Sequence, residues 1–193
     1  MTHEGLHMTC QDHVGGNIIQ GDPYSFSPLA WNYLRDRFAV RTVMDIGAGR
    51  GHCADYWHRQ GCQVLAIDGL ESNCYQSHYP VLHWDLTQGA VRCRVDLSIC
   101  VEVVEHIEEK YLDNLLSSLA CGRVILMTNA LPGQGGYHHV NEQPTEYWIQ
   151  HLARYGCGVS EDDTVRVRRL AEQDGAHHIA RTGLILINSK EKS

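Results

Sequence analysis

The sequence predicts an α/β fold built on a mostly parallel sheet, and three observations carry that expectation. Apolar runs of strand length alternate with segments of helical period along the chain, the pattern that builds a parallel sheet with ligands at its carboxyl ends. Val43 to Ile46 reads as a buried strand and runs directly into Gly47, Gly49 and Gly51, with a polar helical segment behind them. Glycine at such a turn permits positive φ and lets backbone approach a ligand closely. A second apolar run, Gln63 to Ile67, ends in Asp68, where an acid is placed to accept from both hydroxyls of a ribose. At 193 residues and 43% hydrophobic content the chain suits a single domain with a full-sized core.

Taken in order, residues 1–20 mix histidine, glycine and polar residues without a period and read as a loose arm. His3, His7 and His13 are expected to be exposed tail histidines, and residues 21–193 the domain proper. Gly21 to Pro28 is turn chemistry, with Ser27 as N-cap and Pro28 at the first helical position. The helix Pro28 to Phe38 follows, its apolar residues Leu29, Trp31, Leu34 and Phe38 near helical spacing. After the glycine turn, His52 to Gln60 is a helix stopped by Gly61, its first N–H groups suited to a carboxylate. A short helix then leads to a third, weaker strand at Val81 to Trp84. Val95 to Val101 is the fourth strand, continued by a helix to about Leu119, and Gly122 to Thr128 is the fifth. The long glycine-rich loop Asn129 to Asn141 has the character of a substrate-facing segment. Pro144 opens a helix carrying Tyr147, Trp148, Leu152 and Tyr155, Glu161 to Glu172 reads as another, and Gly183 to Asn188 as the closing strand. Arg166, Arg168 and Arg169 read as a solvated helix face.

The glycines of Asp45 to Gly51 are spaced D-x-G-x-G-x-G, one residue too tight at the third position for the dinucleotide pattern. That motif resembles the one found in class I S-adenosylmethionine-dependent methyltransferases, and the resemblance runs over residues 24–188. It implies a Rossmann-like domain with a seven-stranded, mostly parallel sheet and helices on both faces. It implies S-adenosylmethionine as cofactor, held at Asp45, Gly47, Ala48, Gly49 and Gly51, with Asp68 and Gly69 at the ribose. Asp85 and Leu86 would meet the adenine, and Cys100 and Val101 would lend main-chain contacts. Tyr24 and Ser27 stand where such enzymes close over the methionine end, although capping and packing explain them equally well.

A second constellation follows the fourth strand. Glu102, Glu105 and His106 stand at i, i+3 and i+4, which on a helix beginning by Glu102 would share one face. Carboxylates with an imidazole can chelate a divalent cation, Mg²⁺ or more readily Mn²⁺. In methyltransferases that use no metal, the same residues brace the helix. His138 and His139 in the long loop should lie over the same end of the sheet, and His139 would complete a set of Glu102, Glu105, His106 and His139. Acid spacing with a later histidine resembles the metal site of small-RNA 2′-O-methyltransferases, and the acid–histidine part resembles ubiquinone-pathway O-methyltransferases. A coordinated hydroxyl loses its proton more easily. Without a metal, His138 or His139 would serve as general base. Glu102, His138 and His139 are therefore the expected catalytic residues.

Composition limits the remaining choices. A formal charge of −7 argues against a broad nucleic-acid or anionic-membrane surface, and no apolar run reaches the ~18 residues of a membrane span. The amino terminus lacks a basic-then-apolar signal pattern. Eight scattered cysteines without a C-x-x-C pair read as reduced thiols of a cytoplasmic protein. The expected activity is cation-assisted O-methylation of a hydroxyl on a sugar or other polyol small molecule. Two other readings stand beside it. One is methylation of an RNA 3′-terminal ribose, marked by salt-sensitive RNA retention. The other is a non-catalytic subunit that binds the cofactor and methylates nothing.

Overall fold

A computed structural model describes Val14 and residues 20–192, the side chains of 191 and 192 excepted. The expected arm, with His3, His7 and His13, lies outside the described residues apart from Val14 and Gln20.

Strands β1 (Thr42–Ile46), β2 (Gln63–Asp68), β3 (Val81–His83), β4 (Val95–Cys100), β5 (Gly122–Met127), β6 (Cys157–Val159) and β7 (Leu184–Asn188) form one sheet in the order 3-2-1-4-5-7-6. Pairings among β1 to β5 are parallel, whereas β7 runs antiparallel to both β5 and β6. The expected seven-stranded, mostly parallel sheet is therefore present. Six of its strands stand where the apolar runs put them.

The central strands are buried on both faces, and their side chains sort by alternation. Met44, Ile46, Cys100, Ile125, Met127, Leu184 and Leu186 point to one core, which α4 (Leu112–Leu119) and α5 (Thr145–Ala153) cover with Leu115, Leu116, Trp148 and Leu152. Val43, Leu97, Ile99, Val124, Leu126 and Ile185 point to the other. That core is closed by α1 (Pro28–Phe38), α2 (His52–Arg59), α6 (Glu161–Asp174) and α7 (His177–Thr182), through Trp31, Leu34, Trp57, Val167 and Ile179. A short α3 (Glu71–Tyr75) links β2 to β3.

One expected element differs. No helix begins by Glu102: two 3-10 turns, Val104–His106 and Glu109–Tyr111, intervene before α4. Glu102 is left-handed, with φ 55°. The Glu105 carbonyl, which a helix would give to its own next turn, instead accepts the N–H groups of Val140 and Asn141 at 3.0 Å each. The long loop thus pins this turn and stops it from winding into a helix. Strand β6 and helix α7 were not expected. The first is three residues around Gly158 and the second a six-residue polar turn, too short to show a period.

Candidate active site

The turn after β1 holds Gly47, Gly49 and Gly51 at φ 69°, 54° and 75°. It is tied to β2 by the Ala48 N–H donating to the Ile67 carbonyl at 2.9 Å. A Cβ on Gly47 would stand 2.3 Å from Val103 Cγ2, while one on Gly49 would meet nothing within 4 Å. Gly47 is thus required by packing against the segment after β4, and Gly49 keeps space open above the sheet. Gly51 lines no cavity and serves as the left-handed N-cap of α2.

Two cavities meet over this turn, one of about 310 Å³ and one of about 130 Å³. Both are bounded by Gly47, Gly49, Glu102 and His106, so they form one trough along the carboxyl ends of β1, β2 and β4. The smaller half is lined by Asp68, Gly69, Asp85, Leu86, Val103 and Ile107, with Val14 across from them. Asp68 is almost fully buried. Its Oδ2 accepts from Gly49 N–H at 2.7 Å, and its Oδ1 from Leu70 N–H at 2.8 Å and Asn73 Nδ2 at 3.0 Å. Burial nonetheless holds its pKa above the usual carboxylate range. Asp85 Oδ1 accepts from Thr87 N–H at 2.8 Å, an Asx turn that fixes the wall of this half.

The larger half contains Asp45, Gly47, Ala48, Arg50, His52 and Val101, and beyond them Asp22, Ser25, Phe26, Glu102, Glu105, His106, Tyr137, His139 and His178. Asp45 is buried, and its Oδ2 meets no hydrogen-bond partner among the described residues; burial pushes its pKa up to about 7. Glu105 is fully buried; main-chain N–H groups of Glu105 and Ala130 approach its carboxyl, but no side chain pairs with either oxygen among the described residues. Burial, reinforced by the charge of Glu102, pushes it up to about 8. A buried carboxyl of this kind, with no charged partner, is stabilised by a proton or a cation.

Ligand atoms of Glu105, His106 and His139 lie within 4.8 Å of one another. The His106 and His139 rings stand edge to face with centroids 5.0 Å apart. His139 Nδ1 is 2.9 Å from Glu142 Oε1, the outer carboxylate that orients a ligating imidazole in metal sites. Burial, then the neighbouring His139, lowers the His106 pKa and keeps it in the neutral form that a metal requires.

Glu102 does not join that group. Its N–H donates to Thr128 Oγ1 at 2.8 Å, and the Thr128 hydroxyl donates back to Oε1 at 2.9 Å. Oε2 lies 3.0 Å from His178 Nδ1, and His178 Nε2 lies 3.2 Å from Asp22 Oδ2. Burial works to raise the Glu102 carboxyl, but the hydrogen bond and charge of His178, with Thr128, outweigh it and hold its pKa below the ordinary value. The hydrogen bond that His178 gives to Glu102, opposed by burial, raises that of His178.

The structure therefore corrects several expectations. Glu102 stands outside the metal-capable set because its left-handed backbone turns it toward Thr128 and His178, leaving three ligands rather than four. His138 lines neither cavity; its own left-handed backbone, φ 49°, puts His139 into the trough instead. Ser27 is fully buried, donates to Asp174 Oδ2 at 2.8 Å and caps Ala30, so it packs rather than binds. Tyr24 stacks on His177 with centroids 5.1 Å apart and also lies off the trough; Asp22, Ser25 and Phe26 line it from that segment. The Cys100 side chain is buried in the core and its carbonyl accepts from Thr128 N–H at 3.1 Å, so only Val101 of that pair reaches the trough. His178 was missed altogether. The His177–His178 doublet was the one available signal, and nothing in the sequence ties it to Glu102.

No family model and no curated protein matches this chain. Solved structures do. The sugar N-methyltransferase KedS8 from Streptoalloteichus sp. ATCC 53650 superposes with a TM-score of 0.67 at 10% identity, over 97% of this chain and 98% of that one. Magnesium protoporphyrin IX methyltransferase (ChlM) from Synechocystis PCC 6803, with bound S-adenosylmethionine, gives 0.59 at 16% identity over 83% and 76% of the two chains. The methyltransferase domain of bacterial CtHen1 gives 0.54 at 16% identity over 67% and 84%. The fold is that of these methyltransferases.

Proposed function

We propose that this chain is an S-adenosylmethionine-dependent O-methyltransferase acting on a hydroxyl of a sugar or other polyol small molecule, with a divalent cation on Glu105, His106 and His139. The observation that carries it is the single trough that joins the Gly47–Gly49 turn and Asp68 to this carboxyl–imidazole group. The open space over Gly49 and the nearly buried acid at the end of β2 fit an adenosine and its ribose. Asp45 Oδ2 and Arg50 Nε, both without a hydrogen-bond partner among the described residues, remain for the methionine portion, and Ala48 and Val101 complete the wall. When bound, the cofactor supplies a methyl carbon on a positively charged sulfur, open to in-line displacement. The chain's task is then to position two partners and exclude water.

One carboxylate and two imidazoles suit Mn²⁺ better than Mg²⁺, and a cation there would lower the pKa of a coordinated hydroxyl. A sugar acceptor is also supported by the end-to-end likeness to a sugar N-methyltransferase; the cation group favours oxygen over nitrogen, since an amine needs no such activation. The metal-capable set keeps RNA 3′-terminal ribose methylation as the second reading, with the charge of −7 against it. No helix among the described residues is long and apolar enough to cross a membrane. We assign the protein to the cytoplasm on its thiols, the seven described cysteines being free.

Incubation with radiolabelled S-adenosylmethionine and fractionated metabolites and RNA tests this assignment. Label is expected in a polar, polyol-containing fraction, reduced by chelator and restored by Mn²⁺. Label in RNA would select the second reading, and label in amines alone would overturn the oxygen acceptor. No label in any fraction would leave a cofactor-binding subunit.

A further inference from the structure

Resting on that reading, we propose that His178 is the group that takes the acceptor's proton, with Glu102 fixing the ring at Nδ1 and Asp22 occupying the acceptor's place at Nε2 until it arrives. The geometry is specific. Three elements distant in sequence converge on one imidazole: Asp22 from the turn before α1, His178 from α7 and Glu102 from the segment after β4. All three line the larger half of the trough.

Glu102 is held there against its backbone preference. It is one of three non-glycine residues with positive φ among those described, and such strain costs about 1–3 kcal/mol and gathers at functional sites. Thr128, fully buried, grips Glu102 by both its N–H and its carboxyl. The groups facing His178 are Asp22 and, edge-on at 6.2 Å, the Tyr24 ring from one side. From the other come Glu102 and, beyond it, the buried Glu105.

With both ring nitrogens against carboxylates, the resting imidazole carries two protons. When an acceptor hydroxyl displaces Asp22, that side chain leaves with the Nε2 proton, which passes to water. Nε2 then faces the hydroxyl with a free lone pair while Nδ1–H stays on Glu102. The O–H bond breaks toward Nε2, oxygen bonds to the methyl carbon, and the carbon–sulfur pair returns to sulfur. The products are a methyl ether, a neutral thioether and imidazolium, so charge and protons balance.

Ring ¹H–¹⁵N spectra of the full chain read the bridge without turnover. Wild-type His178 is expected doubly protonated at neutral pH, Asp22→Asn singly protonated at Nδ1, and Glu102→Ala without the Nδ1 anchor. On the fraction that takes label, His178→Ala and His178→Gln should each lower methyl transfer about 100-fold or more and lose the fall in rate at low pH, with S-adenosylmethionine and Mn²⁺ affinities unchanged. Wild-type rate and pH profile in both variants would overturn the assignment, as would a wild-type ring singly protonated at Nε2. Absence of label with wild-type protein would instead remove the methylation reading and the role of His178 with it, an outcome the variants cannot mimic.

Discussion

Gly47 and Gly49 sit two residues apart and are glycines for different reasons. At Gly47 a methyl group would lie 2.3 Å from a Val103 methyl on top of a φ of 69°, so Gly47→Ala should lower both the melting temperature and cofactor affinity. At Gly49 the added carbon meets nothing within 4 Å, leaving only the left-handed backbone to pay, about 1–2 kcal/mol. Gly49→Ala should therefore lose only that much stability yet bind S-adenosylmethionine at least about tenfold more weakly, some 1.4 kcal/mol, because its methyl projects into the trough. Calorimetric titration beside thermal melts separates the two; wild-type affinity in Gly49→Ala would take that residue out of the cofactor site. The motif spacing made these glycines legible, but not which neighbour each one answers to. Glu102 and His138 were less legible still. A left-handed φ at an ordinary residue has no sequence signature, and it redirects both side chains.

Ser27 was readable as an N-cap from Ser27–Pro28 alone, and the resemblance offered it a second role at the cofactor. Fully buried between Asp174 and Ala30, it belongs to the cap. Ser27→Ala should cost about 1 kcal/mol of stability and leave cofactor affinity untouched; a loss of affinity at unchanged stability would reverse that conclusion. The segment after β4 shows the opposite case. Its residues suggest a helix from Glu102, on which Glu102, Glu105 and His106 would share one face. The structure has 3-10 turns there, because the Glu105 carbonyl is already taken by Val140 and Asn141. Glu105 and His106 still converge with His139, now through the docking of a loop rather than through helical spacing.

At the scale of the molecule, the carboxyl ends of β1, β2 and β4 bring the βαβ unit and the carboxyl–imidazole group into one trough. A ligand that binds only the folded form stabilises it by about 2.7 kcal/mol at a hundred times its dissociation constant, which for a domain of this size is a rise of roughly 5–10 °C in melting temperature. Mn²⁺ should produce such a rise in the parent chain and in Glu102→Gln, and none in His139→Ala. A response lost in Glu102→Gln would return that residue to the metal set. Alternating apolar runs, the D-x-G-x-G-x-G spacing and the acid at the end of β2 by themselves determined the layered fold, six of its strands and the glycine-turn half of the trough. These are local patterns, written within one strand and one turn. The tertiary structure alone decided that Glu102 leaves the metal-capable group, that His139 rather than His138 enters the trough, and that Asp22 and His178 complete its far wall. Those choices depend on contacts between residues up to 156 positions apart and on two strained backbone angles, and neither leaves a period or a spacing along the chain.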